Sequence, residues 1–249
     1  MEYSFLLVSL NIEAVLEEVT IHQRRKKLDE MIQGGGLRSA YSATLARIKE
    51  QKGSRSRLGM EALMWLSHSE RPLKANELCD ALGVEIGSPD LNSENIPTIE
   101  TLLGCSLGLV IVEASSYTVR LIHYSLQEYL SNNADLFHRP HAVIAEVCLT
   151  YLNFRRIKDL PLTFDLDKPS VPLLEYASCC WEMHVRRETT EIVNGLALQF
   201  LAGFDKHVAS VILLTCDEVH RDWELGWSDA AGFTGLHCAA YFGMVEITV

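Results

Sequence analysis

At 249 residues, 48% of them hydrophobic and 22% charged, the chain is globular rather than disordered, with room for one large domain or roughly two to three small ones. A net charge of −11 disfavours general affinity for nucleic acid or anionic membrane, since both need a positive surface. Seven cysteines, an odd number with no C-x-x-C spacing, read as reduced thiols of a cytosolic protein, and the apolar opening from Phe5 to Leu10 is too short for a membrane span.

Residues 3 to 50 read as helices. Ile12, Val15, Leu16 and Val19 fall at helical spacing, and Gly34-Gly35-Gly36 interrupts the pattern before Tyr41, Leu45 and Ile48 resume it. The run Arg24-Arg25-Lys26-Lys27 reads as a solvated helix face, because acidic residues flank it on both sides. Leu58, Ala62, Trp65 and Leu66 form the stripe of a further helix, which Pro72 breaks. Ala75, Leu78, Cys79 and Leu82 form the next stripe, ended by Gly83. After a polar loop, Pro97 suits the first turn of a third helix carrying Ile96, Ile99, Leu102 and Leu103.

Two β-like runs follow, Leu109 to Glu113 and Tyr117 to Ile122, joined by Ala114-Ser115-Ser116 as a hairpin. Ser125-Leu126-Gln127-Glu128 fits a capping box, with Ser125 as the cap and Glu128 reaching back to it. Three helices and a two-stranded hairpin make the order of a winged helix. Beyond Pro140 the chain is helical again, through Val143 to Leu152, Leu173 to Trp181, Ile192 to Phe200 and Val208 to Leu214. Adjacent Cys179 and Cys180 read as small apolar residues on one of these helices.

Gly104-Cys105-Ser106-Leu107-Gly108 is a formal G-x-S-x-G, the nucleophile elbow of serine hydrolases. An elbow needs a strand entering the serine and a helix leaving it. Here Ser106 follows a helix and precedes a strand, so Gly104 and Gly108 read as helix-ending and loop glycines, with Leu107 and Leu109 entering the core. A hydrolase using Ser106 stays as an alternative. No G-x-x-x-x-G-K-[ST] occurs, and Gly34-Gly35-Gly36 lacks the following lysine that reaches phosphate. His220 with Asp222, and His237 with Cys238, have no partners at metal-ligand spacing, so neither metal nor cofactor is expected. A DNA-binding winged helix is the main rival, but Leu58 to Leu130 holds three basic and ten acidic residues, a balance of −7.

Several of these stretches resemble a family. Leu107-Gly108-Leu109-Val110 with Leu121-Ile122-His123-Tyr124-Ser125-Leu126-Gln127-Glu128-Tyr129-Leu130 is similar to a signature of fungal NACHT–ankyrin proteins, which belong to the STAND class of signalling ATPases. Arg71-Pro72-Leu73, Asn95-Ile96-Pro97, Leu174-Glu175-Tyr176-Ala177 and Trp181-Glu182-Met183-His184 look like that family too. Its winged helix carries the name of the GPI inositol-deacylase without implying hydrolysis here. Asp229 to Ala240, then Gly243 and Val245-Glu246, resembles the opening of an ankyrin repeat, with Gly235 in place of the usual proline.

The resemblance implies a mainly α fold: residues 1–57 a helical remnant of an NTPase module, 58–133 the winged helix, 134–226 a helical linker and 227–249 a partial ankyrin repeat. It implies a cytoplasmic, non-catalytic connector making protein contacts between an NTPase core upstream and a repeat array downstream. His123 becomes the candidate nucleotide sensor, and Thr234, His237 and Gly243 hold the ankyrin turn.

Overall fold

A computed structural model describes residues 15, 16, 18–33, 36–163, 170–215 and 234–241. The described chain is mainly helical with one small sheet. In order it forms α1 (Ile21–Gln33), α2 (Gly36–Glu50), α3 (Ser54–His68), β1 (Leu73–Lys74), α4 (Ala75–Gly83), α5 (Ile99–Cys105), β2 (Val110–Glu113), β3 (Thr118–Leu121) and α6 (Tyr124–Ser131). There follow α7 (Pro140–Asn153), α8 (Arg155–Lys158), α9 (Leu174–Arg187), α10 (Glu191–Leu201), α11 (Val208–Thr215) and α12 (Gly235–Tyr241). Contacts gather into two compact units, one of Met1–Ala75 with Thr98–His138, the other of Asn76–Pro97 with Arg139–Val249. Among the described residues no helix is long and apolar enough to cross a membrane.

In the first unit Tyr41, Leu45 and Ile48 of α2, Ala62, Leu63 and Trp65 of α3, and Leu102 and Cys105 of α5 are all buried. The stripes that predicted the helices are thus the surfaces that pack. Gly59 lets α3 close onto the end of α5: a Cβ there would lie 2.6 Å from the Cys105 carbonyl oxygen. Gln51 donates to the same oxygen at 2.7 Å, satisfying a carbonyl that the helix end leaves open. The sheet has the order β1-β3-β2, with Leu73 opposite Val119 and Val110 opposite Leu121. Two residues of β1 carry too little pattern for a strand to be read, and β1 is absent from the sequence-based expectation.

Three local expectations are corrected. Pro97 lies outside α5, whose N-cap is Thr98, its hydroxyl accepting from the Thr101 amide at 3.3 Å. Gly104 sits inside α5, and the left-handed positions are Leu107 (φ 45°) and Gly108 (φ 80°). Leu109 is buried as expected, whereas Leu107 is only half-buried.

The second unit is built on α7 and α9. Ile144, Cys148, Tyr151 and Leu152 of α7 and Tyr176, Trp181 and both Cys179 and Cys180 of α9 are buried. Pro140 takes the first turn of α7, where its missing N–H costs no hydrogen bond. Trp181 meets Phe200 of α10 edge-on at 5.5 Å, and Phe200 meets Phe204 likewise at 5.4 Å. Residues 76–97 fasten to α8 here: the Pro89 carbonyl accepts from the Arg155 amide at 3.1 Å and Asp90 Oδ1 from the Arg156 amide at 3.0 Å. Two of the helix's open N–H groups are thereby satisfied.

Candidate functional site

His123 lies where β3 runs into α6. It is the N-cap residue, extended at φ −159° and ψ 150°, and its Nδ1 accepts from the Ser125 amide at 3.1 Å. The expected capping box is therefore corrected: Ser125 is inside the helix, and Glu128 is exposed on its second turn. Histidine is not among the preferred caps, but a deprotonated ring nitrogen accepts an amide hydrogen as a hydroxyl oxygen does.

Ser125 Oγ lies 2.7 Å from the same Nδ1 and 2.9 Å from the hydroxyl of Tyr41 on α2. Because Nδ1 accepts, the chain has one consistent polarity: Tyr41 O–H donates to Ser125 Oγ, and Ser125 O–H donates to His123 Nδ1. A neutral ring then carries its proton on Nε2. The ring lies over Tyr124 at 4.3 Å, and Tyr124 itself is 60% exposed.

Beside α6, a cleft of about 270 Å³ is lined by Ser67, Arg71, Pro72, Arg120 and Gln127 among others. It lies at the small end of ligand sites. Its Arg120 pairs with Glu113 at 3.0 Å, and Ser116 donates to Glu113 at 2.7 Å, so the wing's acid and base bind each other. On α5, the helix that a DNA-binding winged helix would insert, the exposed residues are Glu100, Thr101 and Gly104. None is cationic.

Ser106 is wholly buried, and its Oγ donates to the Leu102 carbonyl at 2.9 Å. It stands between α5 and β2, the reverse of an elbow. At the other end of the described chain, Thr234 caps α12. Its amide and hydroxyl both approach His237 Nδ1, at 3.2 and 2.8 Å. His237 thus fills the place that Glu or Gln takes in a capping box. Gly235 is pressed on the Leu201 carbonyl of α10, with no room for a Cβ. Gly243, His220 and Asp222 lie outside the described residues.

Two polar clusters of the second unit were missed by sequence reasoning. The Tyr151 hydroxyl donates to Asp80 at 3.4 Å, and burial pushes the Asp80 carboxyl up to about 6, against the opposing pull of Arg156 and Tyr151. The same burial, with Asp80 beside it, drives the Tyr151 phenol far up. His184, wholly buried, lies 2.9 Å from His141 Nδ1 through its own Nδ1 and 2.9 Å from the Tyr176 hydroxyl through Nε2. Nothing in the spacing of these residues announces either contact.

Residues 47–143 match the family described as "GPI inositol-deacylase, winged helix domain". No curated protein and no solved structure was found to match the chain. A winged-helix domain is thus present, and its segment is similar to that family.

Proposed function

We propose that this chain is a non-catalytic connector of a STAND-type signalling protein. In that reading the winged helix rests against a nucleotide-binding core, and the helices after it lead into ankyrin repeats. The work is done through protein contacts in the cytoplasm. The match of residues 47–143 to a winged-helix family supports the reading most directly. The resemblance of the flanking stretches to fungal NACHT–ankyrin proteins extends it over the rest.

His123 is the residue assigned to nucleotide sensing. With Nδ1 accepting from Ser125, the proton of a neutral ring is on Nε2, and an N–H is the polarity that a phosphate oxygen accepts from. The α12 cap formed by Thr234 and His237 is the piece assigned to the repeat boundary.

Sequencing the full transcript tests this. A G-x-x-x-x-G-K-[ST] motif upstream and further TPLH-like repeats downstream are expected, and a full-length message carrying neither sinks the proposal. DNA recognition is the second reading, since a winged helix is a common DNA reader. The acidic exposed face of α5 speaks against it.

A further inference from the structure

His207 fastens two helices of the second unit at once. It lies in extended backbone (φ −93°, ψ 135°) between the short turn Phe204–Lys206 and α11, and it is 4% exposed. Its Nδ1 accepts from the Ala209 amide at 3.1 Å, and its carbonyl accepts from the Ser210 amide at 2.9 Å and the Ser210 hydroxyl at 2.7 Å. The residue therefore caps the start of α11. On the far side of the ring, Nε2 lies 2.9 Å from the carbonyl of Leu152, in the last turn of α7, where helix carbonyls have no partner along the helix.

The partners fix the polarity of both contacts. A backbone amide only donates, so Nδ1 carries a lone pair. A carbonyl only accepts, so Nε2 carries the proton. The ring is held as one neutral tautomer. A second proton could go only to Nδ1, where it would face the Ala209 N–H and abolish the cap.

The groups packed around the ring disfavour that proton. Burial lowers the His207 pKa from its ordinary 6.5; the Leu152 carbonyl of α7 pulls the other way, and the Lys158 ammonium of α8 adds to the lowering. From α10 the ring of Phe200 meets the imidazole nearly at right angles, 5.0 Å away, and brings no charge. Asp205 and Lys206, just before His207 in the chain, are exposed.

We propose that His207 is a proton-operated latch. The neutral ring holds the start of α11 on the end of α7, and acidification frees α11 while α7, α9 and α10 stay packed. Val208, Ala209, Ile212 and Leu213, buried while the latch is closed, are the residues uncovered. Because the folded ring takes up a proton less readily than a free one, the latch is fully present above the ordinary histidine value. It is lost as pH falls below that value and through the folded one. Asp80, in the same unit, acts with the opposite sign, since its raised value makes its contribution fade as pH rises.

Hydrogen exchange of the whole chain, read on α11 and corrected for the intrinsic rate, tests this. Protection of α11 is expected to fall about tenfold between about pH 7.5 and about pH 5, with α9 changing less than about twofold. His207→Asn keeps a side-chain cap that does not titrate, and the pH dependence of α11 should vanish in it. If that variant fails to fold, the imidazole nitrogen resonances of the native chain decide. They should show the Nε2–H tautomer at neutral pH and a titration midpoint below the ordinary value. A midpoint at or above that value, an unchanged pH dependence in the Asn variant, or α9 loosening together with α11 would each overturn the proposal.

Discussion

The hydroxyl of Tyr41 lies 2.9 Å from Ser125 Oγ, joining two residues 84 positions apart through a contact that ends on the cap of α6. Tyr41 is 1% exposed, so its hydroxyl has given up water and takes Ser125 Oγ as a partner within the protein. The helix cap and the core of the first unit are therefore joined through one serine oxygen.

Removing that oxygen should cost more than removing the phenol's. Ser125→Ala removes a partner of the buried Tyr41 hydroxyl and a donor to His123 at once, a loss of about 1–3 kcal/mol. Tyr41→Phe removes the donor itself and should cost about 0.5–1.5 kcal/mol. Urea unfolding measures both, and the reverse order would refute the assigned polarity.

His123→Ala should destabilise by about 0.5–2 kcal/mol through loss of the cap, and His123→Asp should recover most of it. If aspartate restores stability but not nucleotide response in a protein that contains the core, capping and sensing are separate tasks of one ring. Recovery of both by aspartate would remove any special role for imidazole.

Asp80 holds its proton more tightly in the folded chain than in the unfolded one, because burial raises it from 3.8 to about 6. Its favourable contribution is present below the lower value and is lost as pH rises through the upper. The gap sets a ceiling of about 3 kcal/mol. Asp80→Asn keeps an acceptor for Tyr151 without the charge, so it should stabilise at pH 7.5 and make little difference at pH 3.5. Melting curves at the two pH values decide; a variant less stable at both would mean that attraction to Arg156 outweighs burial.

Gly235→Pro, which restores the residue usual in ankyrin openings, should loosen α12 here. Any Cβ at that position collides with the Leu201 carbonyl, and Gly235→Ala should do the same. Hydrogen exchange at Cys238, whose amide donates to Thr234 at 3.0 Å, should quicken in both variants. Unchanged protection would show that α10 gives way instead.

A fluorophosphonate probe should leave Ser106 unlabelled in the native chain, because the side chain is buried and its hydroxyl is engaged. Labelling that needs native structure would restore the elbow reading.

What the sequence revealed follows the reach of its signals. Stripes such as Ala62 with Trp65 and Ala75 with Leu78 repeat at the helical period, and they became buried faces in place. The hairpin, though not its register, was legible from two β-rich runs around a polar turn, and Tyr117 itself closes that turn at φ 55°. Ser125-x-x-Glu128 misled because it is a correct capping pattern, two residues late. The true cap is a histidine, which no common cap rule includes. Tyr151 and Asp80 stand 71 positions apart, and only the packed helices bring them together. Such contacts decide which side chains titrate abnormally, and local periodicity does not carry them.

The alternation of the two units along the chain limits how this protein can be divided. A fragment cut at the edges of residues 47–143 keeps 76–97 but loses Tyr151, Arg155 and Arg156, the residues that Asp80, Pro89 and Asp90 hold. The sequence boundary of the winged helix and the boundary of independent folding are two different lines, and binding measured on the excised segment would be binding by a protein missing part of its own interior.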